Sequence, residues 1–331
     1  MRDLRTLPKV ELHVHLEGSM RASTVVELAE RYGVELPEGL RDGRYGFRDF
    51  RHFIDEWLAG LACLREPEDF RRIALEFCED EAAQGVRYAE VSFSLPDHAE
   101  RFDDWDGPVR GVLEGFAEGE GRFGIECRMY VDVVRGIDMV LSRRAMEVAA
   151  RYRDAGVIGL GLGGEERFGP EPYAEIFREG MARGLHSIPH AGETHGPASI
   201  RGALEALGAE RIGHGIRILE DPALVEEVRS REVGLDVCPT SNAMTGSVAS
   251  LEAHPLGAML EAGLLCTLAS DDPSMFHSAI TDEYEVCRHA LGFDDVRIAT
   301  LARNGVRASF ADEATKAELE QGIAAWLASP E

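Results

Sequence analysis

Short apolar, β-branched runs recur along the chain, and each is followed by a longer segment in which apolar residues return at helical spacing. This is the pattern of repeated strand–helix units. Eight such runs stand out, at residues 10–16, 86–95, 125–134, 157–162, 186–190, 211–216, 234–239 and 264–270. Eight strands with intervening helices point to an α/β fold closed as a barrel, although a doubly wound open sheet satisfies the same periodicity.

Glu171-Pro172 and Glu220-Asp221-Pro222 predict the starts of helices over 173–183 and 223–231, with Gly184 and Gly234 as their stops. Residues 21–84 hold more helical sequence than one crossover requires, which predicts a helical insertion after strand 1, part of it a cap over the barrel mouth. Beyond the eighth run, residues 281–292, 294–307 and 312–327 read as extra C-terminal helices that complete the outer ring. No linker rich in Pro, Gly or Ser divides the chain, so residues 1–331 are expected to form a single domain.

Length and composition agree with that outline. The 331 residues allow two domains or one large barrel, and 44% hydrophobic with 29% charged residues is a globular profile. Thirty-five basic against 60 acidic residues leave a net charge of −25, a field that repels phosphate backbones and anionic lipid. Nucleic acid and membrane surfaces are therefore not expected as partners. Six scattered cysteines form no C-x-x-C pair, the start of the chain has no apolar core of a signal, and no run approaches the roughly 18 apolar residues of a membrane span. The expectation is a cytoplasmic protein with reduced thiols; no oligomeric state is specified.

The chemistry gathers at strand ends. His13-Val14-His15 closes the first run, and a period of two sends both imidazoles to one face. His190 ends the fifth run, His214 sits in the sixth, and Asp271-Asp272 follow the eighth. In a barrel these are the positions where catalytic groups collect. Three imidazoles with one carboxylate suit Zn²⁺ and leave room for water, whose bound form has a pKa near 7 and supplies hydroxide to electrophilic carbon. Glu193, three residues beyond His190, is placed to stay protonated and donate to a ring nitrogen.

His13-Val14-His15-Leu16-Glu17-Gly18, His190-Ala191-Gly192-Glu193, Arg211-Ile212-Gly213-His214-Gly215, Ser241-Asn242-Ala243-Met244-Thr245-Gly246 and Ser270-Asp271-Asp272-Pro273 occur in this order. Together they resemble the adenosine deaminase family over nearly the whole chain. The resemblance implies a metal-dependent (β/α)8 TIM barrel of the amidohydrolase type, with one Zn²⁺ per chain held by His13, His15, His190 and Asp271. It implies that His214 orients and helps deprotonate the metal-bound water and that Glu193 protonates purine N1. Asp272 would accept a hydrogen bond from the N7 side, and the backbone N–H of Gly164, within Gly163-Gly164-Glu165-Glu166, would face N3. The implied reaction is hydrolysis of a 6-aminopurine by water to the 6-oxo product and ammonia. The H-x-E…P-C-x-x-C signature of the other zinc deaminases is absent.

Two departures bear on substrate. Glu17 stands where adenosine-specific members carry Asp toward the ribose 5′ side, and Val91-Ser92-Phe93-Ser94-Leu95-Pro96 has Ser where the family usually has Arg. A remodelled 5′ end suits a 5′-modified nucleoside such as aminodeoxyfutalosine of menaquinone biosynthesis, ranked beside adenosine, with adenine as an alternative. Another barrel metallohydrolase acting on an amide or lactone, or a metal-stabilised binding protein, also remains open on fold and metal alone. Phe50, Phe53, Trp57 and Leu58 lie at helical spacing in the cap; helix core explains such a stripe, and Phe53 and Trp57 are the candidates to cover the base.

Overall fold

The computed structural model describes residues 1–46, 50–99 and 104–330, without the side chains of residues 50, 51 and 99. Eight parallel strands run β1 (Lys9–His15), β2 (Val86–Phe93), β3 (Glu126–Val134), β4 (Val157–Gly163), β5 (His186–Ala191), β6 (Arg211–His214), β7 (Gly234–Val237) and β8 (Leu265–Leu268). Their order in the sheet is their order in the chain. The open side is joined by a parallel bridge between Val14 and Asp271, with His15 N–H donating to Asp271 O at 2.8 Å and Asp271 N–H to His13 O at 3.1 Å. This is a (β/α)8 barrel, and all eight expected runs are strands, with ends moved by a few residues.

Four helices separate β1 from β2: α1 (Ala22–Tyr32), α2 (Glu38–Arg41), α3 (Phe50–Cys63) and α4 (Pro67–Ala83). Two more, α5 (Leu95–Ala99) and α6 (Asp106–Phe123), separate β2 from β3. The last of the first four, α4, packs along α6 and against β2, as a crossover helix of the outer ring does. Over the mouth lies α3, packed on the turn Glu17–Ser19 that leaves β1. The residues expected as a cap thus divide between ring and mouth. At the C-terminus, Asp295–Ala308 packs on both β8 and β1, covering the seam, and Glu313–Ala328 packs on that helix.

Two helix ends differ from expectation. Helix Pro222–Arg231 stops not at Gly234, which opens β7, but at Glu232 with φ 54°, where Glu232 N–H bonds Arg229 O at 3.1 Å. Capping hydrogen bonds hold a left-handed residue there without glycine. Residues 171–173 form a 3₁₀ turn ahead of Ala174–Ala182.

Below the mouth the barrel interior is charged and internally matched. Arg211, fully buried on β6, meets Asp236 Oδ2 at 2.7 Å and Glu90 Oε2 at 2.5 Å and donates to Leu12 O at 3.1 Å. Thr267 Oγ1 and Tyr88 OH satisfy the remaining oxygens of Asp236 and Glu90 at 2.7 and 2.9 Å. A buried cation flanked by two anions on neighbouring strands fixes the spacing of the wall that carries the groups above it.

Candidate active site

Imidazoles from β1, β5 and β6 converge on the Asp271 carboxylate at the C-terminal mouth. His13 Nε2 lies 3.5 Å from Asp271 Oδ1, and His15 Nε2 lies 3.3 Å from the same oxygen and 3.2 Å from His190 Nε2. Neighbouring ligands around Zn²⁺ at about 2.0–2.1 Å stand roughly 3–3.5 Å apart, and these three spacings fall in that range. Both ring nitrogens of His13 and Nδ1 of His190 are buried without a hydrogen-bond partner. Buried polar atoms left over in this way fit donors awaiting a cation. A fifth donor competes: His13, His190, His214 and Asp271 offer atoms that all lie within 4.8 Å of one another. His214 Nε2, however, stands 4.0 Å from Asp271 Oδ2 and 3.7 Å from Glu193 Oε2, turned toward the acid.

The electrostatics suit a cation. Burial drives His13 down to about 4, leaving it neutral with a lone pair to give. Burial pulls His15 the same way, but Asp271, Asp272 and Asp132 outweigh it and raise it to about 10. That surplus of negative charge is what a divalent ion would neutralise. Asp271 is buried, yet the adjacent His13 and His15 imidazoles hold its carboxyl well below the usual range, and Ser241 Oγ donates to its Oδ2 at 2.6 Å. Gly213 is needed for His13 to sit where it does, since a Cβ there would meet His13 Cε1 at 2.4 Å.

Glu193 rises from the turn after β5. Burial raises its pKa, which favours the protonated acid, and Ser247 Oγ donates to Oε1 at 3.2 Å. His214 Nδ1 accepts from Asn242 Nδ2 at 3.2 Å, and Asn242 Oδ1 in turn meets His254 Nε2 at 3.2 Å. With its Nδ1 lone pair engaged, a neutral His214 carries its proton on Nε2, facing the site.

The remaining expected residues surround this centre. Glu17 is buried with Oε1 accepting from Ser94 N–H at 2.9 Å and meeting His98 Nε2 at 3.0 Å, while Oε2 has no partner. Asp272 is buried, Oδ1 is likewise unpartnered, and burial beside Asp271 raises its pKa well above the carboxylate range. Gly164 adopts φ 82°, and its carbonyl is tied with that of His190 to one side chain, Arg135, at 3.4 and 2.7 Å. From α3, the Trp57 ring lies 6.0 Å from His15, edge to face, and Phe53 stacks on Phe276 at 5.4 Å. Leu58 is 55% exposed and faces away from any core; the Phe50 side chain lies outside the described residues.

Three groups were not singled out by the sequence. Glu166, 7% exposed, gathers the turn that carries Glu193: its oxygens accept from the N–H groups of Gly192, Glu193, Thr194 and His195 at 2.5, 3.1, 2.5 and 2.8 Å. Hydroxyls of Thr194 and Ser199 add contacts at 2.9 and 2.6 Å. Arg135 collects backbone carbonyls on the other side of β5, and Asp132, buried on β3, accepts from Ser92 Oγ at 2.6 Å. Glu166 lay in plain view beside Glu165, with nothing in the sequence to choose between them.

A parallel barrel with a His/Asp cation site and a buried acid at its C-terminal mouth defines a metal-dependent hydrolase. The chain matches the adenosine deaminase family over residues 8–326. It belongs to that family. Among its relatives are an aminodeoxyfutalosine deaminase of Streptomyces coelicolor, 40% identical across 98% of this chain and 86% of that one. An adenine deaminase of Rhodospirillum rubrum is 37% identical across 97% of each. The structure superposes with TM-score 0.91 on an adenine deaminase from Arthrobacter aurescens, 34% identical, covering 98% of this chain and all of that one. It superposes with TM-score 0.90 on a zinc-bound amidohydrolase from Burkhoderia ambifaria, 27% identical, covering 98% and 91%. The chain is thus a metal-dependent hydrolytic deaminase. Among the described residues no helix is long and apolar enough to cross a membrane.

Proposed function

We propose that the protein converts a 6-aminopurine nucleoside and water into the 6-oxo product and ammonia, using one Zn²⁺ per chain. The observation that carries this reading is the 3.2–3.5 Å spacing of the pairs His15–His190, His15–Asp271 and His13–Asp271, which suits neighbouring Zn²⁺ ligands. When bound, zinc supplies hydroxide at neutral pH by acidifying its water. His214 keeps a proton on Nε2 beside the site and would steady negative charge growing there; accepting a proton instead requires Asn242 to turn its amide.

Glu193, whose carboxyl burial pushes toward the protonated form, would deliver a proton to purine N1 as C6 is attacked, and Ser247 steadies the carboxyl. The amide of Gly164 would face N3. At N7 the direction of the bond differs from the expectation stated above: N7 of a 9-substituted purine has a lone pair and no hydrogen, so Asp272 must donate. Burial beside Asp271 raises its pKa and favours the protonated form that such a bond needs. Phe53 and Trp57 exclude water over the base.

For the substrate, the free Oε2 of Glu17 and the small Ser92 support a nucleoside altered at its 5′ end, aminodeoxyfutalosine above adenosine. The 40% identity to a protein of that name supports the same choice. Adenine is the second reading, favoured by the Arthrobacter aurescens likeness. Ranking adenine, adenosine, 5′-methylthioadenosine and aminodeoxyfutalosine by kcat/KM separates them, and a clear preference for adenine would remove the nucleoside reading. Six buried cysteine side chains fit a cytoplasmic setting.

A further inference from the structure

Asp132 has no place in the reaction just described, yet it is 2% exposed and sits among the metal-site residues. It lies on β3, two residues beyond Tyr130, so both point to one face of the strand. Its carboxylate is pinned: Ser92 Oγ on β2 donates to Oδ2 at 2.6 Å. Room for it comes from the neighbouring strand, because a Cβ on Gly161 of β4 would fall 1.9 Å from Oδ1. Oδ1 has no hydrogen-bond partner. Arg135 is the cation next to it in sequence, and the guanidinium contacts described above are to backbone carbonyls.

His15 faces this carboxylate. Its Nε2 is turned to Asp271 and His190, and its other nitrogen, Nδ1, lies 3.8 Å from Asp132 Oδ2. A metal-binding histidine almost always gives its second ring N–H to a carboxylate, a carbonyl or water, which fixes the tautomer and strengthens the bound nitrogen. We infer that Asp132, held by Ser92 over the gap left at Gly161, is the residue that orients His15 for zinc. A shift of under 1 Å brings Oδ2 into hydrogen-bond range of Nδ1. Ser92, where the family usually carries Arg, then acts as the anchor of that carboxylate. The inference rests on the reading of His15 as a ligand.

The test uses the full-length enzyme loaded with zinc, with Asp132→Ala, Asp132→Asn and Ser92→Ala compared in a chelator competition that reads zinc affinity directly. Removing such a partner lowers metal affinity by about 10- to 100-fold. Asp132→Ala is expected to show that loss, Asp132→Asn a smaller one because its amide oxygen still accepts from Nδ1, and Ser92→Ala the smallest. KM should stay near wild type in the Asp132 variants, and the metal-free variants should melt with metal-free wild type, which a merely structural role would not allow. Wild-type zinc affinity in both Asp132 variants would overturn the inference. So would a selective loss of turnover on hydroxyl-bearing substrates at unchanged zinc affinity, which would make Asp132 a substrate contact. A wild-type enzyme that binds no zinc would instead remove the functional reading itself.

Discussion

Replacing Glu166 by Gln should damage stability and rate together. One carboxylate accepts four backbone N–H groups and two hydroxyls from residues 192–199, with contacts of 2.5–3.1 Å. A glutamine offers one accepting oxygen and points an NH₂ at donors that need acceptors. Hydrogen bonds to a charged group contribute about 1.5–3 kcal/mol each, but six sharing two oxygens do not add independently. Losing one partner of a buried charged network costs about 3–5 kcal/mol, which corresponds to roughly 5–10 °C in Tm for a chain of this size. Because Glu193 N–H is one of the donors, the acid moves with the turn, and a displacement near 1 Å lowers kcat by about 100-fold. The pH dependence has a definite sign. Burial pushes Glu166 up, but the Ser199 hydroxyl and the amides of His195 and Thr194 outweigh it and hold it below the ordinary value of 4.5. Its contribution is therefore complete above that value and is lost as pH falls through the lowered one. Calorimetric melts of wild type and Glu166→Gln should differ by a constant amount above about pH 5 and converge in acid. A variant that melts with wild type and keeps its kcat would refute the reasoning.

Other substitutions separate the remaining roles. Glu193→Gln should lower kcat by about 10²- to 10⁴-fold while zinc content and product affinity persist, measured by single-turnover absorbance; retention of most of the rate removes Glu193 as proton donor. Gly213→Ala places a methyl 2.4 Å from His13 Cε1 and should reduce bound zinc measured by mass spectrometry, an expectation defeated by a full equivalent of metal. Arg211→Met strands Glu90 and Asp236 unpaired in the interior and should destabilise by about 3–5 kcal/mol in urea unfolding; an unchanged midpoint would show the network to be dispensable.

The strands were legible because parallel strands covered on both faces are written as apolar runs, and the side chains that converge at the mouth were legible because they stand at the ends of those runs. His13 and His15 needed only the two-residue period of a strand. Glu166 and Arg135 were not legible, since their partners are backbone amides and carbonyls of a turn 26–29 and 55 residues away, and no side-chain pattern encodes that. Asp132 gave a faint signal as an acid near the end of an apolar run, but its environment depends on Ser92 and Gly161 on two neighbouring strands. The end of helix Pro222–Arg231 was misplaced because Glu232, not a glycine, takes the left-handed conformation. Which part of residues 21–84 covers the mouth was not legible, because the helical period of α4 is the same whether it lies over the mouth or in the ring.

Stripping the enzyme with a chelator and titrating Zn²⁺ back, while ammonia release from a 6-aminopurine nucleoside is followed, tests the metal site most directly. Activity should vanish with the metal and return in proportion to zinc, reaching its plateau at one equivalent per chain. Ammonia release that survives complete removal of metal, or a plateau at any other stoichiometry, would contradict a single cation held by His13, His15, His190 and Asp271.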